Sequence, residues 1–136
     1  MGNRAVITIK EKDVPQEDWN SLYLHWNGGR DSVEAFLDAT KRLGVRTNDQ
    51  SYGMARLTQI IANFMGGTLS IGISSVGDWA LDFLDNGIYW VEGLEIYDRT
   101  DTYNGFEEQK EYDHEELVKA IIDANSFVHE ETEVVA

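Results

Sequence analysis

Residues 22–44 read LYLHWNGGRDSVEAFLDATKRLG, and the fold class turns on the kind of element that comes after them. The short run 22–26 is rich in aromatic and aliphatic side chains and reads as a strand, ended by the break Asn27-Gly28-Gly29. Asp31-Ser32-Val33-Glu34 is a capping box, with Asp31 at the N-cap and Glu34 three residues on. The helix it opens carries Val33, Phe36, Leu37 and Leu43 on one side, and Gly44 can close it. The next element is a second helix over 52–65, where Leu57, Ile60, Ile61 and Phe64 recur at helical spacing before Gly66-Gly67. Two helices in succession after a strand break the βαβ alternation that a parallel nucleotide-binding sheet requires.

Outward from that stretch the chain is richer in strands. AVITI at 5–9 is β-branched and reads as a first strand, and the polar segment 10–20, with the single proline Pro15, as a loop. LSIGIS at 69–74 alternates. The runs 79–84 and 88–92 flank Asp85-Asn86-Gly87, a strong short-range hairpin signal. Gly93 reads as a bulge before the last strand continues over 94–97. An acidic loop occupies 98–111. Asp113-His114-Glu115-Glu116 then forms a second capping box, for a helix over 114–125 with Leu117, Val118, Ile121 and Ile122 inward. The order β-β-α-α-β-β-β-α predicts an α+β fold: an antiparallel or mixed sheet of about five strands with helices packed on one face. One domain spans 1–128, and 129–136 is an acidic tail expected to fray.

The chain has 136 residues, enough for one core, and a net charge of −14. The charge is uneven. Residues 1–77 hold eight acids and eight bases, whereas 78–136 hold seventeen acids against Arg99, Lys110 and Lys119. Such a field repels nucleic acid and anionic membranes and could attract a basic protein surface; solubility alone would also account for it. With no cysteine, disulfides, thiolate zinc sites and thiol nucleophiles are excluded. No run resembles a secretory leader or a membrane span, so a cytoplasmic location is expected.

The histidines His25, His114 and His129 lack metal-ligand spacing, and no nucleophile elbow, P-loop or dinucleotide fingerprint is present. The expectation is a binding protein without catalytic residues, metal or cofactor. Trp26-Asn27-Gly28-Gly29-Arg30 leads a strand into a helix N-terminus, a place where backbone N–H groups hold phosphates and where Arg30 could add a bidentate donor. Asp31 and Glu34 oppose that reading, since they cap the same groups; a tight turn explains the glycines equally. Arg30, Arg56 and Arg99 are scarce bases in an acidic chain, available either for salt bridges or for a phosphorylated ligand. Tyr89 and Trp90 are adjacent in a strand and must face opposite sides, so at least one leaves the core face, where it could stack a purine or enter an oligomer interface. Asn86 is a turn residue or a base-reading amide. The candidate ligand-binding set is therefore Trp26, Asn27, Arg30, Arg56, Asn86, Tyr89 and Arg99.

Several strings carry a resemblance. Met1-Gly2-Asn3-Arg4-Ala5-Val6-Ile7-Thr8, Tyr23-Leu24-His25-Trp26-Asn27-Gly28-Gly29-Arg30-Asp31-Ser32-Val33-Glu34, Tyr52-Gly53 with Ala55-Arg56-Leu57, Asn63-Phe64 with Gly66-Gly67, and Asp85-Asn86-Gly87-Ile88-Tyr89 resemble small phage and prophage proteins over roughly residues 1–125. The family they look like is that of the anti-Thoeris sponges, which sequester the cyclic ADP-ribose signal made by bacterial TIR enzymes. The resemblance implies a homo-oligomer, a dimer or a higher assembly such as a hexamer, in the cytoplasm of the infected bacterium. It would bind 1''–2' glycocyclic ADP-ribose, or a related cyclic nucleotide, without cleaving it. It assigns no pocket residues, so the seven candidates stand as read from the residues themselves. The rival reading is an acidic nucleic-acid mimic that inhibits a host nuclease, as anti-CRISPR and antirestriction proteins do, and the charge of −14 suits it well.

Overall fold

The computed structural model describes residues 3–79, 84–100 and 112–135, with side chains described as far as Ser126. The elements are β1 (Ala5–Ile9), β2 (Asn20–Leu24), α1 (Arg30–Arg42), α2 (Gln50–Met65), β3 (Ile71–Ser75), β4 (Ile88–Glu92), β5 (Glu95–Thr100) and α3 (His114–Val135). They form a mixed five-stranded sheet in the order β3-β2-β1-β4-β5, in which only β1 and β4 pair in parallel. The α+β class and the five strands agree with the sequence reading.

β1 is central and buried along its whole length, which explains why four of its five residues are apolar; the fifth, Thr8, donates its hydroxyl to Asn20 O at 2.8 Å. Its residues divide between the two faces. Ala5, Ile7 and Ile9 join Leu22, Leu24, Tyr89 and Val91 under the three helices, against Phe36, Leu57, Ile61, Val118 and Ile121. Val6 faces the other side, where Trp19, Val76, Leu84 and Ile88 make a smaller cluster. The helical stripe of α2 lands as its spacing requires: Leu57, Ile60 and Ile61 are buried, and Phe64 meets Phe36 edge-on at 5.6 Å.

The local expectations need four corrections. Asp85-Asn86-Gly87 is not a hairpin turn, because β4 has β1 on one edge and β5 on the other and no edge left for 79–84; residues 80–83 of that expected strand lie outside the described ones. The segment is tied to β1 instead, through Val6 N–H to Gly87 O (3.0 Å) and Asn86 N–H to Arg4 O (2.9 Å). Second, the hairpin turn is Gly93-Leu94, with φ of +59° and +62°. Two positive φ values suit a two-residue turn between twisted strands, and burial of the Leu94 side chain offsets the cost of a left-handed leucine. The register irregularity lies before it, between Trp90 and Val91.

Third, β2 ends at Leu24, two residues before Trp26, because Asn27 turns left-handed (φ +59°). Fourth, the N-cap of α1 is Gly29 rather than Asp31. Asp31 accepts from the Tyr112 N–H (2.8 Å) and so holds the chain that enters α3. The second capping site is as expected, with Asp113 Oδ1 accepting from the Glu116 N–H at 2.9 Å. The α3 backbone runs on to Val135, past the expected end near 125. β5 runs on to Thr100, so residues 98–100 of the expected acidic loop belong to the last strand; the remainder, 101–111, lies outside the described residues.

Candidate functional site

Three of the seven candidates, Asn86, Tyr89 and Arg99, meet where β1 and β4 begin. Gly28 is wedged against β1: its N–H donates to Asn3 O at 2.9 Å, and a Cβ there would lie 2.4 Å from that oxygen. The Tyr89 hydroxyl donates to Gly28 O at 2.7 Å. Arg99 lies over the Tyr89 ring at 4.6 Å and donates to both Asn86 O and Asn86 Oδ1 at 3.3 Å. The Asn86 amide in turn donates to Asn3 Oδ1. Asn27, next to Gly28 in the chain, makes a long contact to Ser32 Oγ (3.5 Å) and none to Asn86, Tyr89 or Arg99 among the described residues.

This network is built to hold the fold. Tyr89 is fully buried, so it has no face to offer a purine; Trp90 is the neighbour that leaves the helix side, and it packs on Trp19 with ring centroids 5.9 Å apart. Asn86 is also fully buried, with both ends of its amide engaged, and acts as a strut rather than an amide poised to read a base. Arg30, at the start of α1, pairs with Glu34 one turn on (3.3 Å), the salt-bridge reading of that residue. Trp26 is 38% exposed and meets His25 edge-on at 4.9 Å.

Arg56 stands elsewhere, on α2. Tyr52, Arg56, Gln59 and Asn63 fall in line along that helix and edge an open groove of 290 Å³ floored by Leu43, Val45 and Ile60. The guanidinium groups of Arg46 and Arg56 both lie over the Tyr52 ring, at 4.2 and 5.2 Å. Arg46 also has Asp49 at 3.6 Å, whereas Arg56 donates to Gln59 Oε1 (2.8 Å) and meets no carboxylate among the described residues. Asn63 donates to Asn125 of α3 at 2.7 Å, closing the far end. Apart from Arg56, none of these residues stands out as a site in the sequence, although the 4-3-4 spacing of polar groups on one helix face is there to find.

A third cluster joins α1 to α3. Arg42 forks between Asp38 (3.0 Å) and Glu115 (2.6 and 2.9 Å), and His114 Nε2 lies 2.8 Å from Asp38 Oδ2. Asp38, His114 and Glu115 could each turn a ligand atom toward one metal ion, yet Arg42 already supplies the positive charge that both carboxylates need. Beside it an open groove of 390 Å³ carries Arg30 and Lys41, matched by Glu34 and Glu95.

No family model, curated protein or solved structure matches the chain.

Among the described residues three carboxyls titrate below their ordinary range. The His114 hydrogen bond, and then Arg42, hold Asp38 down; the Arg42 hydrogen bonds do the same for Glu115. Burial raises the Asp85 carboxyl, but the Arg4 side chain and N–H more than reverse that. Each group therefore binds its proton more weakly folded than unfolded. The stability they contribute is complete above the unfolded carboxyl range and is lost as pH falls below about 4. The urea midpoint difference between wild type and Asp85→Asn should be constant from pH 7 to 5 and shrink below pH 4. A difference that persists to pH 2.5 would contradict this.

Among the described residues no helix is long and apolar enough to cross a membrane.

Proposed function

We propose that this protein binds and sequesters a cyclic ADP-ribose-type signalling nucleotide, of the 1''–2' glycocyclic kind, without cleaving it, and so blocks Thoeris immunity in the infected bacterium. The observation that carries this reading is Arg56. In a chain of twenty-five acids and eleven bases, its guanidinium meets no carboxylate among the described residues and sits over an aromatic ring at the rim of a groove. A phosphate beside Arg56 and Arg46 would neutralise them, Tyr52 offers an aromatic surface, and Gln59 and Asn63 supply amide donors and acceptors. A groove of 290 Å³ falls just below the roughly 300–1,000 Å³ of small-molecule sites, room for one nucleoside portion of the ligand. Oriented amides and a guanidinium with no activated nucleophile or base favour retention over turnover.

The net charge of −14 keeps one rival in play, the nucleic-acid mimic, and a single comparison separates them. A sponge depends on its arginine. Arg56→Ala should weaken nucleotide binding tenfold or more, the loss of about 1.5–3 kcal/mol for a charged hydrogen bond, with the circular dichroism unchanged. A mimic depends on its acids. Reversing Glu107, Glu108 and Glu111 to lysine would then abolish nuclease inhibition, most strongly at low salt, while Arg56→Ala does nothing. Titration calorimetry with the cyclic nucleotide, and a nuclease assay on the same variants, read both. Arg99→Ala is the poorer probe, because Arg99 also supports Asn86 and Tyr89.

A further inference from the structure

Three side-chain amides border the α2 groove, Gln59, Asn63 and Asn125, and their hydrogen-bonding capacity is spent unequally. Asn125 is buried, with both ends of its amide engaged. Its Nδ2 donates to Ile121 O (2.8 Å) and Ile60 O (3.3 Å), and its Oδ1 accepts from Asn63 Nδ2 (2.7 Å). Gln59 has its Oε1 engaged by Arg56 at 2.8 Å. Asn63 is half-buried and makes only the bond to Asn125, so its Oδ1 and second N–H meet no partner among the described residues.

The orientation of the Asn63 amide is set by α3. The two groups that Asn125 Nδ2 reaches are main-chain carbonyls, which only accept, so the Asn125 amide cannot turn over. Its oxygen therefore faces Asn63, and Asn63 must answer with its nitrogen. What Asn63 has left is an acceptor beside a donor, held in one order. Two helical turns, a rise of about 10 Å, separate it from Arg56 on the same groove, with Ile60, Leu43 and Val45 as the apolar floor. A nucleoside monophosphate carries its parts in that order: a hydrogen-bonding base edge, an apolar base face, and an anion at the far end.

Within the sequestration reading, on which this step rests, we infer that Asn63 is the residue that selects adenine. Its Oδ1 accepts from the N6 amino group and its free N–H donates to N7, the bidentate pairing that an amide makes with adenine. The purine face lies on the apolar floor and the phosphate reaches Arg56. The Tyr52 ring, already under Arg46 and Arg56, belongs to the phosphate end. Guanine and hypoxanthine carry an oxygen in place of the N6 amino group, so both atoms of that edge are acceptors and one of them meets the Asn63 oxygen. Asn125 acts through Asn63 as a positioning residue, because it keeps the amide from turning over to suit another base.

Calorimetry with 1''–2' glycocyclic ADP-ribose and with its hypoxanthine counterpart reads this selection directly. Wild type should bind the adenine form about tenfold more tightly or better, the effect of one bidentate pair. Asn63→Ala should bring the two affinities within about threefold of each other. Arg56→Ala should weaken both and keep their ratio, because a phosphate contact carries no information about the base. Equal affinity of wild type for the two forms would overturn the assignment and leave the sequestration reading standing. So would a preference that Asn63→Ala leaves intact, since another residue would then read the base. Absence of binding to either nucleotide would overturn both readings. The wild-type comparison needs no variant, so it decides even if Asn63→Ala fails to fold.

Discussion

Gly28→Val should lower the stability of the protein by about 3 kcal/mol and its Tm by about 10 °C. The cause is rigid. A Cβ at Gly28 would lie 2.4 Å from Asn3 O and 2.8 Å from the Ala5 Cβ, and both belong to the central strand or the residues that lead into it. Neither neighbour is the far end of a flexible side chain. Relief would require the turn to lift away from β1, breaking Gly28 N–H to Asn3 O and moving the acceptor of the buried Tyr89 hydroxyl. Gly67→Ala is the control, since a Cβ there meets nothing within 4 Å, and it should shift stability by less than about 0.5 kcal/mol. Urea denaturation of the three proteins checks this. A Gly28→Val protein as stable as wild type would mean that the turn is not packed on β1 as described.

Asp85→Ala should cost about 2–3 kcal/mol, the range for charged hydrogen bonds in a partly buried setting. Asp85 Oδ2 accepts from both the Arg4 backbone N–H (2.9 Å) and Arg4 Nε (3.0 Å), and Oδ1 accepts from the other end of the guanidinium (3.2 Å). Removing the carboxylate leaves a backbone donor and a half-buried guanidinium without that partner. It also loosens the start of the one parallel pairing in the sheet, between β1 and β4. Hydrogen exchange should then quicken at Val6 and Asn86, which bond across that junction, and leave α2 unchanged. A loss of protection spread evenly over the chain would argue against a local anchor.

The helices are readable in the sequence because their signals are local. Gly44 closes α1, Asp113 opens α3, and the apolar stripes recur at helical spacing; the sequence reading misses Asp49, the cap of α2, and that helix starts at Gln50 rather than 52. The strand pairings are less so. Asn-Gly at 86–87 has the composition of a hairpin turn, but its conformation is set by Arg4 and Asn3, more than eighty residues earlier in the chain. Leucine at a left-handed turn position gives no local signal at all, and Leu94 tolerates it because the core receives its side chain. The candidate site divides along the same line. Tyr89 and Asn86 look available in the sequence and are consumed by tertiary contacts, whereas Arg56 and its helical neighbours stay accessible because α2 buries only its opposite stripe. The Asp38–His114 contact spans two helices and could not be anticipated from spacing.

The claim that the chain holds a nucleotide and returns it whole is tested most directly by one measurement. Wild-type protein is titrated with 1''–2' glycocyclic ADP-ribose in a calorimeter, the saturated complex is heat-denatured, and the released material is resolved by chromatography. The expected result is a saturable heat and quantitative recovery of the intact cyclic nucleotide. No heat, or recovery of linear ADP-ribose in its place, would contradict the account.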